Sequence, residues 1–359
     1  MPCLTVWTPA CSALRRRCTT AVSSSFLPVP RRRCSHSRGI REVPILPSWD
    51  TTVFEQAYTQ NLPARLPRSR EHLPPACRKW FIHDDNVDFN LFGSSSTTVV
   101  DGGAEKARPG SDEINVPHSS ELRTSFWSEH ASTFVPLEIT TKNASSAALR
   151  QSSIPGEESE GFERVEAPLE ILIAYLSKQP QDMSIYLAQC DLSSLPESMQ
   201  SDVPIPRLLH ASSSSSGTII KGDIYASSLW LGRPPTYTPL HRDPNPNLFI
   251  QLAGHKTIRL LPPHIGDALY HEVTTRLFPT TPNSFSTTIR GEEMMVGPQK
   301  VALHDAIWNQ SSIYGELVRS HGLETTLALG DALFTPRGWW HSVKGVGEGV
   351  TASINWWFR

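Results

Sequence analysis

His241 and Asp243 form an H-x-D pair inside TYTPLHRDPNPNLFIQLAGHKTIRLLPP, residues 236–263. Alternate residues of an extended chain project to one side, so both side chains can reach a single ion. A second imidazole has to come from elsewhere. His341, in GDALFTPRGWWHSV, follows a Gly-Asp turn and a strand-like run, as a ligand on a partner strand across a barrel would. Two imidazoles and one carboxylate on one face of an octahedron leave three positions open, the arrangement that non-haem Fe(II) oxygenases use to hold a co-substrate and O₂. A structural zinc would ask for four closed ligands and more thiolate. The cysteines, at 3, 11, 18, 34, 77 and 190, include no C-x-x-C pair and point to neither a zinc cluster nor a disulfide framework.

H-x-D by itself is a weak pattern, and the chain carries its own control. His83, Asp84 and Asp85 also match it, but they border a Ser/Gly-rich stretch without flanking strands and read as solvated loop residues. His304 and Asp305 are adjacent, in a helical region, and have the wrong spacing. Taken singly, His241 also reads as a strand-end histidine satisfied by hydrogen bonds, and His341 as an interfacial histidine beside tryptophans.

The elements that must position these groups are mostly strands. LWLG, LFIQL, TIRLL, DALFT and VTASINWWF are short apolar runs separated by Gly, Pro or polar turns, the pattern of a small barrel or sandwich. Upstream, MSIYLAQC has strand composition, and Glu166 to Leu176 carries Leu169, Leu172, Ile173 and Leu176 at helical spacing. Phe54, Ala57 and Tyr58 share one side of a short helix, and one helical interlude is expected over Ala302 to Arg319. Low-complexity inserts, near 93–119, 145–160 and 211–217, read as surface loops within a domain spanning 43–359.

Composition bounds the partners. A net charge of −2 gives no overall basic field, which weighs against nucleic acid as a partner. No apolar run approaches the ~20 residues needed to span a bilayer, so no membrane partner is expected. Residues 1–41 hold eight arginines, many Ser and Thr, and no acid before Glu42, and they read as a mitochondrial transit peptide. A disordered basic tail, with a nuclear or cytoplasmic location, is the alternative.

YLAQ, LWLG, TPLHRDP, NLFIQLAGHK, PRGWWH and INWWF occur in an order and spacing that resembles the JmjC family of the cupin superfamily over most of residues 43–359. The likeness is to the small single-domain branch with arginyl hydroxylases and the asparaginyl hydroxylase acting on hypoxia-inducible factor. It implies a mainly β fold with flanking helices, a double-stranded β-helix or jelly-roll. It also implies a catalytic Fe(II) held by His241, Asp243 and His341, with 2-oxoglutarate as co-substrate and O₂ as oxidant. Thr238 and Lys256 match the pair that holds the distal carboxylate of 2-oxoglutarate, a group whose burial is tolerable only beside a cation and hydrogen-bond donors. Without the likeness, Lys256 would read as a hairpin-end surface lysine.

Asn247 and Tyr186 match positions that hydrogen-bond the co-substrate, Asn355 a polar position near it, and Gln189 and Trp230 a substrate-side pocket wall. For Trp230, Trp339 and Trp340 the default reading is core packing. The implied activity is a dioxygenase that hydroxylates a protein side chain while converting 2-oxoglutarate to succinate and CO₂. Lysine demethylation and tRNA-base hydroxylation are alternatives within that class. A non-catalytic JmjC binding module, and a zinc or manganese cupin with more histidine ligands, are alternatives outside it. No helical extension follows the last strand run, so a monomer is expected.

Overall fold

The computed structural model describes residues 39–84, 119–141, 161–178, 182–211, 219–278 and 295–359. Asp85, residues 1–38 and the cores of the three inserts lie outside the described residues. In chain order the elements begin with β1 (Arg41–Glu42), α1 (Thr51–Gln60), β2 (Ala64–Leu66), α2 (Ala76–Lys79), β3 (Phe81–His83) and β4 (Ser119–Leu122). Next come α3 (Thr124–Glu129), β5 (Phe134–Thr141), β6 (Gly161–Pro168), α4 (Leu169–Leu176), β7 (Met183–Asp191) and α5 (Glu197–Ser201). The barrel strands follow as β8 (Ile224–Gly232), β9 (Thr236–Arg242), β10 (Asn247–Ala253) and β11 (His255–Leu261). After α6 (Pro263–Leu277), α7 (Gly297–Trp308) and α8 (Gly315–His321) the chain closes with β12 (Leu323–Leu327), β13 (Ala332–Thr335), β14 (Trp340–Val346), β15 (Glu348–Gly349) and β16 (Thr351–Phe358).

Two sheets face each other. One has the order β1-β12-β11-β14-β9 and the other β2-β13-β10-β16-β8-β7-β5-β6; a small sheet β15-β4-β3 stands apart. From β8 to β16 the chain crosses repeatedly between the two large sheets, which is the winding of a jelly-roll. The mainly β fold with flanking helices is therefore as expected. Each face follows from alternation: Leu248, Ile250 and Leu252 of β10 are buried on the outer side, while Asn247, Phe249 and Gln251 turn inward opposite Trp357, Asn355 and Ser353 of β16.

Helices cover the outer faces. On the eight-stranded sheet, Phe54 and Tyr58 of α1 lie against Phe334, with ring centroids 5.0 and 6.0 Å away, and Asp50 caps the helix by accepting from the Thr52 and Val53 amides. On the five-stranded sheet, Leu269, Tyr270 and Val273 of α6 and Leu303 and Ile307 of α7 bury Leu240, Leu261 and Trp340. Buried Asp331 fastens β2 to β13 by accepting from Arg65 and Arg68.

Several sequence-based expectations need correction. The helical interlude over 302–319 is two helices, interrupted between Trp308 and Gly315, and α6 ahead of it was not foreseen. Glu166 to Pro168 belong to β6, so the helix begins only at Leu169. Arg41, assigned to the basic tail, already lies in a strand paired with Leu323 of β12, and Ser119, at the edge of the first insert, begins β4. His83 is packed rather than solvated: its Nδ1 meets Ser120 Oγ at 2.9 Å and its Nε2 meets the Cys77 carbonyl at 2.7 Å. Burial holds the His83 imidazole below its ordinary pKa.

Candidate metal centre and co-substrate pocket

β14 lies between β9 and β11, and this order places the candidate ligands together. His341 is the direct cross-strand partner of His241, and their rings stand 4.2 Å apart between centroids. Asp243 follows the end of β9. Ligand atoms of His241, Asp243 and His341 lie within 4.8 Å of one another, and His341 Nε2 is 3.7 Å from Asp243 Oδ2.

The hydrogen bonds leave each ring one nitrogen to offer a metal. His241 Nδ1 meets the Pro239 carbonyl at 2.8 Å, and His341 Nδ1 meets the Trp339 carbonyl at 3.2 Å. A carbonyl only accepts, so each Nδ1 carries the hydrogen and, in the neutral ring, each Nε2 keeps its lone pair for an ion. Asn247 Nδ2 donates to Asp243 Oδ2 at 3.1 Å, which orients the carboxylate. Hard oxygen and borderline nitrogen donors in this ratio fit a ferrous ion well.

Thr238 and His241 are three residues apart and would face opposite ways on a regular strand. They share the cavity because Thr238 pairs with Val343 while His241 pairs with His341: three steps on β9 face two on β14. The extra residue is a bulge, and it turns Leu240 outward into the helix-covered core while both polar groups look inward.

Beyond the ligands the cavity is lined by Thr238, Phe249, Lys256, Ile258, Val343 and Tyr186. Lys256 is only 2% exposed, so the hairpin-end surface reading is wrong. Its ammonium donates to Ser353 Oγ at 2.6 Å and Tyr186 Oη at 3.3 Å, and no carboxylate among the described residues pairs with it. Burial alone pulls its pKa down to about 7. A buried cation held by hydroxyls and by the Tyr186 and Phe249 rings, 5.9 and 5.5 Å from its nitrogen, fits the carboxylate of an incoming ligand. Tyr186 can approach it because residue 232 is glycine: a Cβ there would lie 2.4 Å from the Tyr186 ring.

Gln189, Trp230, Asn247, Asn355 and Trp357 also line the cavity. Trp230 Nε1 donates to Asn355 Oδ1 at 2.6 Å, so these two fix each other. Gln189 sits at φ 51, a left-handed backbone uncommon for a side chain of this kind, at the irregularity where β7 pairs with β8. All ten candidate site residues therefore converge on one cavity. Trp339 and Trp340 do not join it and are core residues. Ser353 was missed; a lone serine two positions before Asn355 in the buried strand VTASINWWF was the available signal.

The sequence family described as a cupin-like domain matches residues 112–359, which is most of the chain. The chain belongs to the cupin-like JmjC family. JmjC proteins are generally Fe(II)- and 2-oxoglutarate-dependent oxygenases. Relatives of this JmjC chain include the lysine-specific demethylase JMJ30 of Arabidopsis thaliana, 27% identical over 48% of this chain and 33% of its own length. Jumonji C domain-containing protein 5 of Drosophila melanogaster is 28% identical over 51% of this chain and 38% of its own. HSPB1-associated protein 1 of Homo sapiens is 30% identical over 37% and 23%. The JmjC chain thus spans between 23% and 38% of the length of these curated relatives. Among the described residues, no helix is long and apolar enough to cross a membrane.

Proposed function

We propose that this protein is an Fe(II)- and 2-oxoglutarate-dependent dioxygenase that hydroxylates a protein side chain. The observation that carries the proposal is one cavity bounded by two lone-pair-bearing imidazoles with a carboxylate and by a buried ammonium that pairs with no carboxylate among the described residues. His241, Asp243 and His341 would hold the ion. With 2-oxoglutarate and O₂ bound, that ion would supply oxidative decarboxylation to succinate and CO₂, with transfer of one oxygen atom to a C–H bond.

The chain's own groups orient and shield. Lys256, Thr238 and Tyr186 receive the distal carboxylate, and proton uptake by Lys256 neutralises it where water is excluded. Asn247 keeps Asp243 turned toward the ion, and Asn355, gripped by Trp230, presents its amide beside the co-substrate. Phe249, Ile258, Leu333 and Val343 supply the apolar wall that limits water at the reacting centre. Gln189 and Trp230 form the substrate-side wall.

A protein substrate is the reading we favour, and a net charge of −2 weighs against tRNA. The name of the Arabidopsis relative supports a second reading, lysine demethylation, which starts from hydroxylation of an N-methyl group. The arginine-rich residues 1–41 support a mitochondrial location, and the expected monomer stands as a proposal beside it. The test is anaerobic titration of the purified chain with Fe(II) and then 2-oxoglutarate, read by visible absorption, followed by succinate release in air. An absorption band that requires both additions, and succinate that requires Fe(II), is expected; neither appearing would reject the oxygenase reading in favour of a binding module. Mass spectrometry of mitochondrial peptides and nucleosides, with and without the gene, then separates added oxygen from lost methyl groups.

A further inference from the structure

All three candidate ligands belong to, or directly follow, two neighbouring strands, and the face of those strands opposite the cavity carries a polar cluster that the proposed reaction does not use. Arg242 stands between His241 and Asp243, Trp340 precedes His341, and Arg242 and Trp340 are themselves cross-strand partners. Alternation sends both outward as the ligands turn in. There, Asp267 of α6 accepts from both: its Oδ1 lies 2.6 Å from Arg242 Nη1 and 3.1 Å from Trp340 Nε1. The Arg242 guanidinium also lies over the Trp340 ring, 5.2 Å from its centroid.

The helix is brought close enough by Gly266. A Cβ at that position would lie 2.1 Å from Trp340 Cδ1, inside any real contact distance. One carboxylate therefore spans the register pair that brackets the ligands. Its side chain is 49% exposed and that of Arg242 28%, so solvent screens the ion pair and leaves it little weight in global stability. Its consequence is positional: sliding β9 against β14 would break both contacts and separate His241 from His341.

We propose that Asp267, with Arg242 and Trp340, is a positioning clamp that sets the spacing of His241, Asp243 and His341 from outside the barrel. This rests on the reading of those three as metal ligands, and the test separates the two claims. Co(II) alone is titrated anaerobically into the full chain, with affinity and the d–d absorption band as readouts and melting of the metal-free protein measured in parallel. The trio reading requires that wild type binds and Asp243→Ala does not.

The clamp requires that Asp267→Ala weakens Co(II) binding by about tenfold, the scale seen when a ligand's supporting partner is removed, and alters the d–d band. The melting midpoint of the metal-free chain should barely move. Glu272→Ala, which breaks an exposed ion pair with Arg276 on the same helix, should behave as wild type. Arg242→Gln attacks the clamp from the strand side and should repeat the Asp267→Ala result even if that variant folds poorly. Wild-type Co(II) affinity and absorption in both clamp variants, while Asp243→Ala fails to bind, would reject the clamp and leave the metal site standing. Absence of Co(II) binding by the wild-type chain would overturn both.

Discussion

At one end of the cavity, two imidazoles have their Nδ1 atoms tied to backbone carbonyls and a carboxylate is held by an amide; at the other, a buried ammonium donates to two hydroxyls and, among the described residues, pairs with no carboxylate. The first end is pre-organised, since each histidine already presents a lone pair and Asp243 is already oriented. The second is under electrostatic stress that a dicarboxylate would relieve. The contrast teaches that the two halves of one site tolerate mutation differently: the metal end gives up function with little change in fold, while the ammonium end gives up function and gains stability.

The largest expected effect comes from breaking the metal end. His241→Ala or Asp243→Ala should reduce Fe(II)-dependent succinate formation by about a thousandfold, which requires only ~4 kcal/mol of lost coordination. Circular dichroism should show an unchanged fold, and full turnover by either variant would rule the ligands out. Next, Lys256→Met should weaken 2-oxoglutarate binding by about a hundredfold, the scale of a lost charged hydrogen-bond set. The same variant should raise the melting point of the ligand-free chain, because the cost of burying the lysine, whether as a desolvated ammonium or by giving up its proton, disappears when an apolar group of similar length replaces it. A drop in melting point with intact binding would reverse the comparison.

The pH dependence sharpens it further. With a folded pKa of about 7 against an ordinary 10.5, Lys256 is largely neutral above pH 7 in the ligand-free chain. Binding a dicarboxylate must then take up a proton, so 2-oxoglutarate affinity should fall above pH 7, by up to about tenfold per unit. Calorimetry in buffers of different ionisation enthalpy reports that proton, and Lys256→Met should show none. The sign for stability is the opposite: between about pH 7 and 10.5 the unfolded chain binds more protons than the folded one, so the penalty this group places on folding shrinks as pH rises. The smallest effect is expected for Tyr186→Phe, a few-fold loss in co-substrate affinity, since one neutral hydroxyl contributes about 1 kcal/mol; a hundredfold loss would show that the ring's placement matters more than its hydroxyl.

Much of this was legible before folding was considered. Short apolar runs bounded by Gly, Pro or polar turns marked β8, β10, β11, β13 and β16, because strand composition and turn chemistry are properties of neighbouring residues. α6 was missed although Ile265, Leu269 and Val273 recur at helical spacing and Pro263 occupies the first helical position, where its missing N–H costs nothing. The bulge in β9 left no signal in composition. It exists only as a mismatch of step counts between two paired strands.

The two H-x-D tripeptides mark where local reasoning ends. Residue types and spacing were enough to nominate a metal-binding carboxylate and imidazole, a partner histidine far along the chain, and a β framework to carry them, because donor chemistry and strand alternation are properties of neighbouring residues. Which histidine faces a cavity and which is locked against a carbonyl, whether Lys256 meets water or hydroxyls, and that Arg242 reaches a helix carboxylate were settled only by packing. Those outcomes depend on register between strands about a hundred residues apart and on how much solvent the surrounding elements exclude, and neither quantity exists until the chain has folded.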